Sequence, residues 1–365
     1  MLLHFRFLLF FLLSLYPGYA SALVEIRMLC WEGYAPIDKV KIFEKYIEKK
    51  YEQKLKLTVI PVSEPQEFFT GFRNKTVDII SPAHNIPKSN RWPFIRNELP
   101  LALPLNLENI PNYHRVNPSL QYLSYVLNNN EIYGVPIVYG SYGLAYNTNK
   151  FIKPPESWDI FWRPEYVGKY SISADYHEAN IYITALSLGY KGEQIYDYNL
   201  LSKDKVFIRR LAHLSGSSAS RWHGVDKSEN LLGLSLATAW GFSFSALKQK
   251  GELWAFASPK EGVTGWVDHW LISTYLKESP LKRKIAEEWI NYTLSDEMQI
   301  YYLNVLGQFP VVNGIKNKLT QEKIDKFQLD NDNYIKNSFI LWPILTRRQQ
   351  NGFTLLWKQA KGEYY

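Results

Sequence analysis

The run Trp266-Val267-Asp268-His269-Trp270 sets a carboxylate between large rings. At the two-residue period of a strand, Trp266, Asp268 and Trp270 share one face. A carboxylate among rings loses hydration and needs a cation or hydrogen bonds. Either an internal Arg or Lys supplies that cation, or it arrives as the ligand. Asp175-x-x-Glu178 brings two more carboxylates close together, an anionic spot suited to an ammonium group. The same spacing is a helix capping box, with Asp175 as cap and Glu178 at the third helical position. Spacing alone favours the cap. The two readings are compatible if Asp175 caps while Glu178 turns toward a cleft. Trp31-Glu32-Gly33-Tyr34 directly follows the first strand, where a ring either faces a ligand or caps the core. Trp240, at the end of its own strand, is open in the same way.

Together these residues suit an organic cation. A polyamine carries ammonium groups on methylene stems. Its charges want carboxylates spaced along a cleft, and its stems want flat apolar walls. Indole and phenol faces supply the wall and a cation–π attraction of about 0.5–2 kcal/mol per contact. Charge-assisted hydrogen bonds to carboxylates are about twice as strong as neutral ones.

Catalytic patterns are missing. There is no G-x-S-x-G elbow, no P-loop and no G-x-G-x-x-G. His177-Glu178 begins like a zinc helix, but Ile181 stands where H-E-x-x-H needs its second His. The seven His residues lack metal-ligand spacing. No nucleophile is paired with a base. The expectation is a binding protein without catalysis, metal or cofactor.

The elements that must position these residues alternate between strand and helix, which predicts an α/β fold. Strands are expected at Val24–Cys30, Leu55–Val62 and Val77–Ser81, with helices at Lys39–Gln53 and Pro65–Arg73 between them. Pro100–Pro118, rich in Pro and Asn, reads as irregular. Ile132–Val138 and Gly143–Asn147 read as two strands with Gly140 between them. A second series follows: helices Trp158–Tyr166, Tyr176–Tyr190 and Lys203–Leu214, and strands Tyr170–Ala174, Leu236–Trp240, Trp254–Ser258 and Gly265–Thr274. The remainder reads as helical over Leu281–Thr293, Asp296–Leu306, Gln321–Gln328 and Gln349–Lys361. Two series suggest two lobes, with ligands bound at the carboxyl ends of strands.

Residues 1–22 read as a secretory leader: Arg6, the apolar run Phe7–Leu15, the breakers Pro17 and Gly18, and Ala20-Ser21-Ala22 as a cleavage site after Ala22. That apolar core is too short to span a bilayer. The chain has 365 residues and one cysteine, so an internal disulfide is excluded and the fold rests on its core. A thiol-poor exported chain suits a bacterial periplasm. The formal charge is +7, but Lys and Arg are scattered with acids between them, and no Arg-rich tract or base-stacking motif accompanies them. Nucleic acid is therefore not expected as a partner. The unusual figure is 16% aromatic, with 12 Trp and 26 Tyr, which suits a carbohydrate, base or organic-cation site.

The chain resembles the periplasmic spermidine/putrescine-binding proteins of ABC transporters. The likeness is collinear over nearly the whole mature length. It runs through Cys30-Trp-Glu-Gly-Tyr34, Val77-Asp-Ile-Ile-Ser-Pro82, Val135-Pro-Ile-Val-Tyr-Gly140 and Ser157-Trp-Asp-Ile-Phe-Trp162. It continues with Pro164-Glu-Tyr-Val-Gly168, Asp175-x-x-Glu178, Ala239-Trp240, Pro259-Lys-Glu-Gly262, Trp266-Val-Asp268 and Ala286–Gly307. Each motif is weak alone, and their order carries the resemblance.

That resemblance implies a two-lobed periplasmic-binding-protein fold with a hinge and an interlobe ligand cleft. The expected division is 23–137 with 269–312, and 138–268 with 313–365. Trp31 and Tyr34 would contact the ligand, Asp175, Glu178 and Asp268 would hold ammonium groups, and Trp240 and Trp266 would sandwich the stem. Glu32 is a further candidate. The pattern departs from the family where Pro82 is followed by Ala83, His84 and Asn85. Gln308 or Phe309 replaces a family Tyr, and Pro343 a family Gln. His84, Asn85 and Gln308 are thus candidate replacement contacts, and a His in the pocket would make binding pH-dependent. The implied partners are a small polycationic amine and an ABC permease, with a membrane signalling receptor as the alternative. A monomer is expected.

Overall fold

A computed structural model describes residues 23–95, 98–327, 329–330 and 339–362, so the expected leader over 1–22 lies outside the described residues. The first lobe opens with β1 (Val24–Trp31), α1 (Ile37–Tyr51), β2 (Leu55–Val62), α2 (Pro65–Arg73), β3 (Ile79–Ile80) and β4 (Ala102–Leu103). Helix α1 buries Val40, Phe43 and Ile47, the spacing of one helical face. Helix α2 starts on Pro65, and Glu64 and Glu67 cap each other's backbone, while Phe68 and Phe72 fill the core one turn apart. Strand β1 lies parallel to both β2 and β3.

A small hairpin, β5 (Leu127–Asn128) and β6 (Glu131–Ile132), precedes the long strand β7 (Val135–Asn147). The second lobe follows with β8 (Tyr170–Ser173), α3 (His177–Ser187), α4 (Tyr198–Leu201), α5 (Lys205–Gly216) and β9 (Ser220–Trp222). It continues through α6 (Ser228–Leu231), β10 (Leu236–Ala239), α7 (Phe244–Gln249) and β11 (Trp254–Phe256) to the second long strand, β12 (Val263–Ser273). Then come α8 (Pro280–Thr293), α9 (Asp296–Tyr301), β13 (Phe309–Pro310), α10 (Gln321–Lys326), β14 (Phe339–Leu341) and α11 (Arg347–Ala360).

The sheet order is β2-β1-β3-β12-β7-β10-β8-β9. Strands β7 and β12 run antiparallel at its centre, from Tyr142 beside Thr264 to Val135 beside Trp270. Each crosses from one lobe to the other. The far end of β12 pairs with β3 and β4. The far end of β7 pairs with β10 and β11. The result is two α/β lobes joined by crossing strands.

Several elements differ from expectation for identifiable reasons. Strand β7 is continuous through Gly140, because β12 and β13 both pair with it there. The segment read as a helix over Trp158–Tyr166 is two single-turn 3₁₀ pieces, Trp158–Trp162 and Pro164–Tyr166. Pro164 lacks the N–H a continuing helix needs, and Trp158 Nε1 is drawn to the Gly262 carbonyl at 2.9 Å. Helix α9 stops at Tyr301 and widens into a π turn over Tyr302–Leu306 that ends on left-handed Gly307. The irregular Pro100–Pro118 stretch contains β4 and 3₁₀ turns started by Asn106 and Pro111.

Candidate functional site

The two crossing strands place Asp268 near the middle of the molecule. It lies opposite Val138 on β7, and Ala83, in the loop after β3, bridges to its other side. Its side chain is 4% exposed. One carboxylate oxygen accepts a hydrogen bond from the Tyr34 hydroxyl at 2.5 Å. Among the described residues no Lys, Arg or His nitrogen forms an ion pair with it, so the internal Arg or Lys partner is not there. Burial therefore pushes its pKa up to about 8, against the lowering effect of the Tyr34 bond.

A cluster of rings lies beside this carboxylate, whose charge reaches Tyr176. Trp240 follows β10, and its backbone is fixed by Asp226, which accepts from the amides of Trp240, Gly241 and Ser243. Gly241 turns the chain there with φ +98°. Trp240 meets Trp266 edge-to-face at 6.4 Å and 75°. The resemblance implies a sandwich, but these rings touch each other and do not stand parallel. Tyr176 meets Trp240 at 4.9 Å and 88°, and Trp342 meets it at 5.8 Å and 62°. Burial and then the charges of Asp268, Asp175 and Glu178, in that order, raise the Tyr176 phenol to about 12.

Gly140 has a steric reason. A Cβ there would come within 2.7 Å of both the Trp266 ring and Gln308 Oε1. Gln308 itself is buried beside Trp266, and its amide donates to the Leu306 carbonyl. Trp270 leaves the cage altogether. It is fully buried against Trp289, with its Nε1 on Thr293 Oγ1 at 3.1 Å.

The remaining candidates sit elsewhere. Asp175 does not cap α3, whose N-cap position is Tyr176 without a side-chain bond. Its carboxylate instead accepts from the Gly224 amide at 2.6 Å and meets His223 Nδ1 at 2.5 Å. Two tertiary partners outcompete the local cap. Glu178 lies in the first turn of α3, 3.4 Å from His177 Nε2. Trp31 packs edge-on against Phe68 at 5.1 Å, with its amide on Ser81 Oγ, and so joins the first lobe's core. Glu32 is exposed, and Asn85 is half-buried on the loop that carries His84.

His84 is fully buried. Its Nε2 donates to the Trp342 carbonyl at 2.8 Å, and its Nδ1 accepts from the Val267 amide at 3.3 Å. Those two bonds fix one neutral tautomer, and burial lowers the pKa to about 4. It anchors backbone rather than facing a ligand, which removes the reason for expecting pH-dependent binding through it. The residues missed from sequence are Tyr176, Trp342 and Asp226. Tyr176 sat inside the Asp175–Glu178 motif, while Trp342 and Asp226 carry no local signal.

What the arrangement offers is one desolvated carboxyl, without a cation among the described residues, beside a cluster of aromatic rings. A family of bacterial extracellular solute-binding proteins matches residues 74–338. The chain is 22% identical over 277 residues to the putrescine-binding periplasmic protein SpuD of Pseudomonas aeruginosa, across 70% of this chain and 72% of that one. The spermidine/putrescine ABC transporter substrate-binding protein PotD from Streptococcus pneumoniae, solved with calcium and HEPES, superposes with a TM-score of 0.71 at 17% identity. It covers 93% of this chain and 98% of that one. PBP MotA from A. tumefaciens B6, solved with glucopine, superposes with a TM-score of 0.60 at 15% identity, covering 93% and 98%.

Proposed function

Since the chain belongs to the bacterial extracellular solute-binding proteins, we propose that it captures a polyamine of the spermidine/putrescine kind in the periplasm and hands it to an ABC permease. The observation that carries this reading is Asp268, a buried carboxyl bonded to the Tyr34 hydroxyl, with no cation among the described residues and a Trp and Tyr cluster beside it. An ammonium group entering the cage supplies the missing charge, and the rings pack its stem. The names of SpuD and PotD, which bind or carry putrescine and spermidine, support the same ligand class.

The hinge is assigned to β7 and β12. Residues 23–137 with 269–312 form one lobe, and 138–268 with 313–365 the other. In support, β1 to β4 pair among themselves and with the far end of β12, and α11 packs on α3 and α5 of the second lobe. Tyr34 comes from one lobe and Tyr176 and Trp240 from the other, so a ligand touching all of them favours the closed state. The leader would be removed after Ala22.

Calorimetry with putrescine and spermidine on the exported chain, with Asp268→Asn and Trp266→Ala beside it, tests the reading. Both variants should fold and lose binding. Undiminished binding in both would sink the site, and absence of heat with any amine would sink the ligand class.

A further inference from the structure

Trp342 reaches the cage from the far end of the chain. Strand β14 lies parallel to β12, with Phe339 beside Val263 and Leu341 beside Gly265. The close approach depends on Gly265, where a Cβ would fall 2.2 Å from the Gly140 carbonyl and 2.3 Å from the Phe339 ring. The Trp342 amide donates to the Gly265 carbonyl at 3.0 Å. Its own carbonyl accepts from His84 Nε2 at 2.8 Å, and the Leu341 carbonyl accepts from the Tyr196 hydroxyl at 3.0 Å. Pro343 follows and restricts Trp342 to extended backbone. Groups on β12, on the loop after β3 and in the second lobe thus pin the backbone around one ring.

The ring itself makes no polar contact: Trp342 Nε1 is shut off from solvent and has no partner among the described residues. It lies against Trp240 and, at 6.3 Å and 33°, over Tyr176. Tyr176 is the side chain that feels Asp268, Asp175 and Glu178 together. Trp342 therefore packs on the ring whose phenol neighbours all three carboxylates.

We propose that Trp342 is a specificity-determining residue that limits ligand length. It shortens the compartment so that a diamine with one ammonium on Asp268 fits, while a longer polyamine is accepted only with this ring displaced. His84 is the positioning residue that holds it. The proposal rests on the amine reading above.

The test is calorimetry of the exported full chain with putrescine, cadaverine, spermidine and spermine. The native protein should bind a diamine at least about tenfold more tightly than spermidine, the scale on which a pocket discriminates added or missing methylenes. Trp342→Ala should cut that ratio to within about threefold by strengthening spermidine binding, and Trp342→Phe should preserve it. His84→Ala should shift the ratio in the same direction but less. Trp342→Leu, which also removes the indole but leaves an apolar side chain, replaces the alanine variant if a circular-dichroism melt shows that variant unfolded. Spermidine binding as tightly as putrescine to the native chain, or an unchanged ratio in the variant, overturns the length role and leaves amine capture standing. Silence with every amine overturns the amine reading itself, and this role with it.

Discussion

Two carboxylate stations in this molecule are built from the same side-chain chemistry and behave differently. Asp268 is buried on a crossing strand with one hydroxyl donor and, among the described residues, no cation, and its carboxyl is held up at about 8. Asp175 is exposed, accepts from the Gly224 amide and lies beside His223, while Glu178 lies beside His177, each imidazole adding a charge only when protonated. Ionising a buried carboxyl without a cation costs several kcal/mol, whereas an exposed ion pair contributes about 0–1 kcal/mol. The inner station is an unmet demand for a cation. The outer station is largely served by the protein itself. Ligand affinity should follow the inner one.

The sharpest way to break that contrast is Asp268→Asn. Amine affinity should fall at least about a hundredfold, as when one member of a buried charge pair is removed, and calorimetry reads it directly. The same substitution should stabilise the empty protein at alkaline pH. A carboxyl raised from 3.8 to about 8 on folding contributes stability that is full below about pH 4 and is lost as pH rises toward 8. The native melting temperature should therefore decline across that window, and the Asn variant's decline should be shallower.

Trp266→Ala comes next, with a loss of about tenfold to a hundredfold from the missing wall and cation–π contact. The ring is only half-buried, so the melting temperature should move little. Smaller for any single pH unit, and more diagnostic, is the pH dependence of binding. Because the ligand needs Asp268 ionised, affinity should rise about tenfold per pH unit up to about pH 8. Below that pH about one proton should leave per ligand bound. Titrations in buffers of different ionisation enthalpy measure this, and Asp268→Asn should abolish it. Smallest of all, Asp175→Asn and Glu178→Gln should each weaken diamine binding by less than about fivefold, the scale of exposed pairs. A loss there matching that of Asp268→Asn would erase the distinction between the stations.

Much of this was legible in the sequence where the forces are local. Helix α2 starts on Pro65, as a first helical turn favours, and its apolar pair Phe68 and Phe72 is one turn apart. The Trp266-x-Asp268 face was readable because strand alternation is itself the signal. What could not be read depends on distant partners. Nothing near Asp175 says that Gly224 and His223 will claim it from the helix end. Gly140 looks like a break between strands until the Trp266 ring is laid against it. Trp342 is separated from Asp268 by more than seventy residues of chain, and only the pairing of β14 with β12 brings them together. Trp240 was visible as a ring, but Asp226, which fixes its loop, was not.

That late pairing has a consequence for how the protein comes into being. Chains generally build their domains from the N-terminus onward, and the pieces of this cage come from nearly its whole length: Tyr34 early, Tyr176 and Trp240 midway, Trp342 close to the end. The sheet through β13 can be laid down while the last segment is still unplaced, since β13 pairs with β7 ahead of α10, β14 and α11. The closing wall is therefore acquired last. A newly made molecule would pass through an interval in which it is already folded but still undiscriminating, and selectivity would mature only when its tail strand is seated.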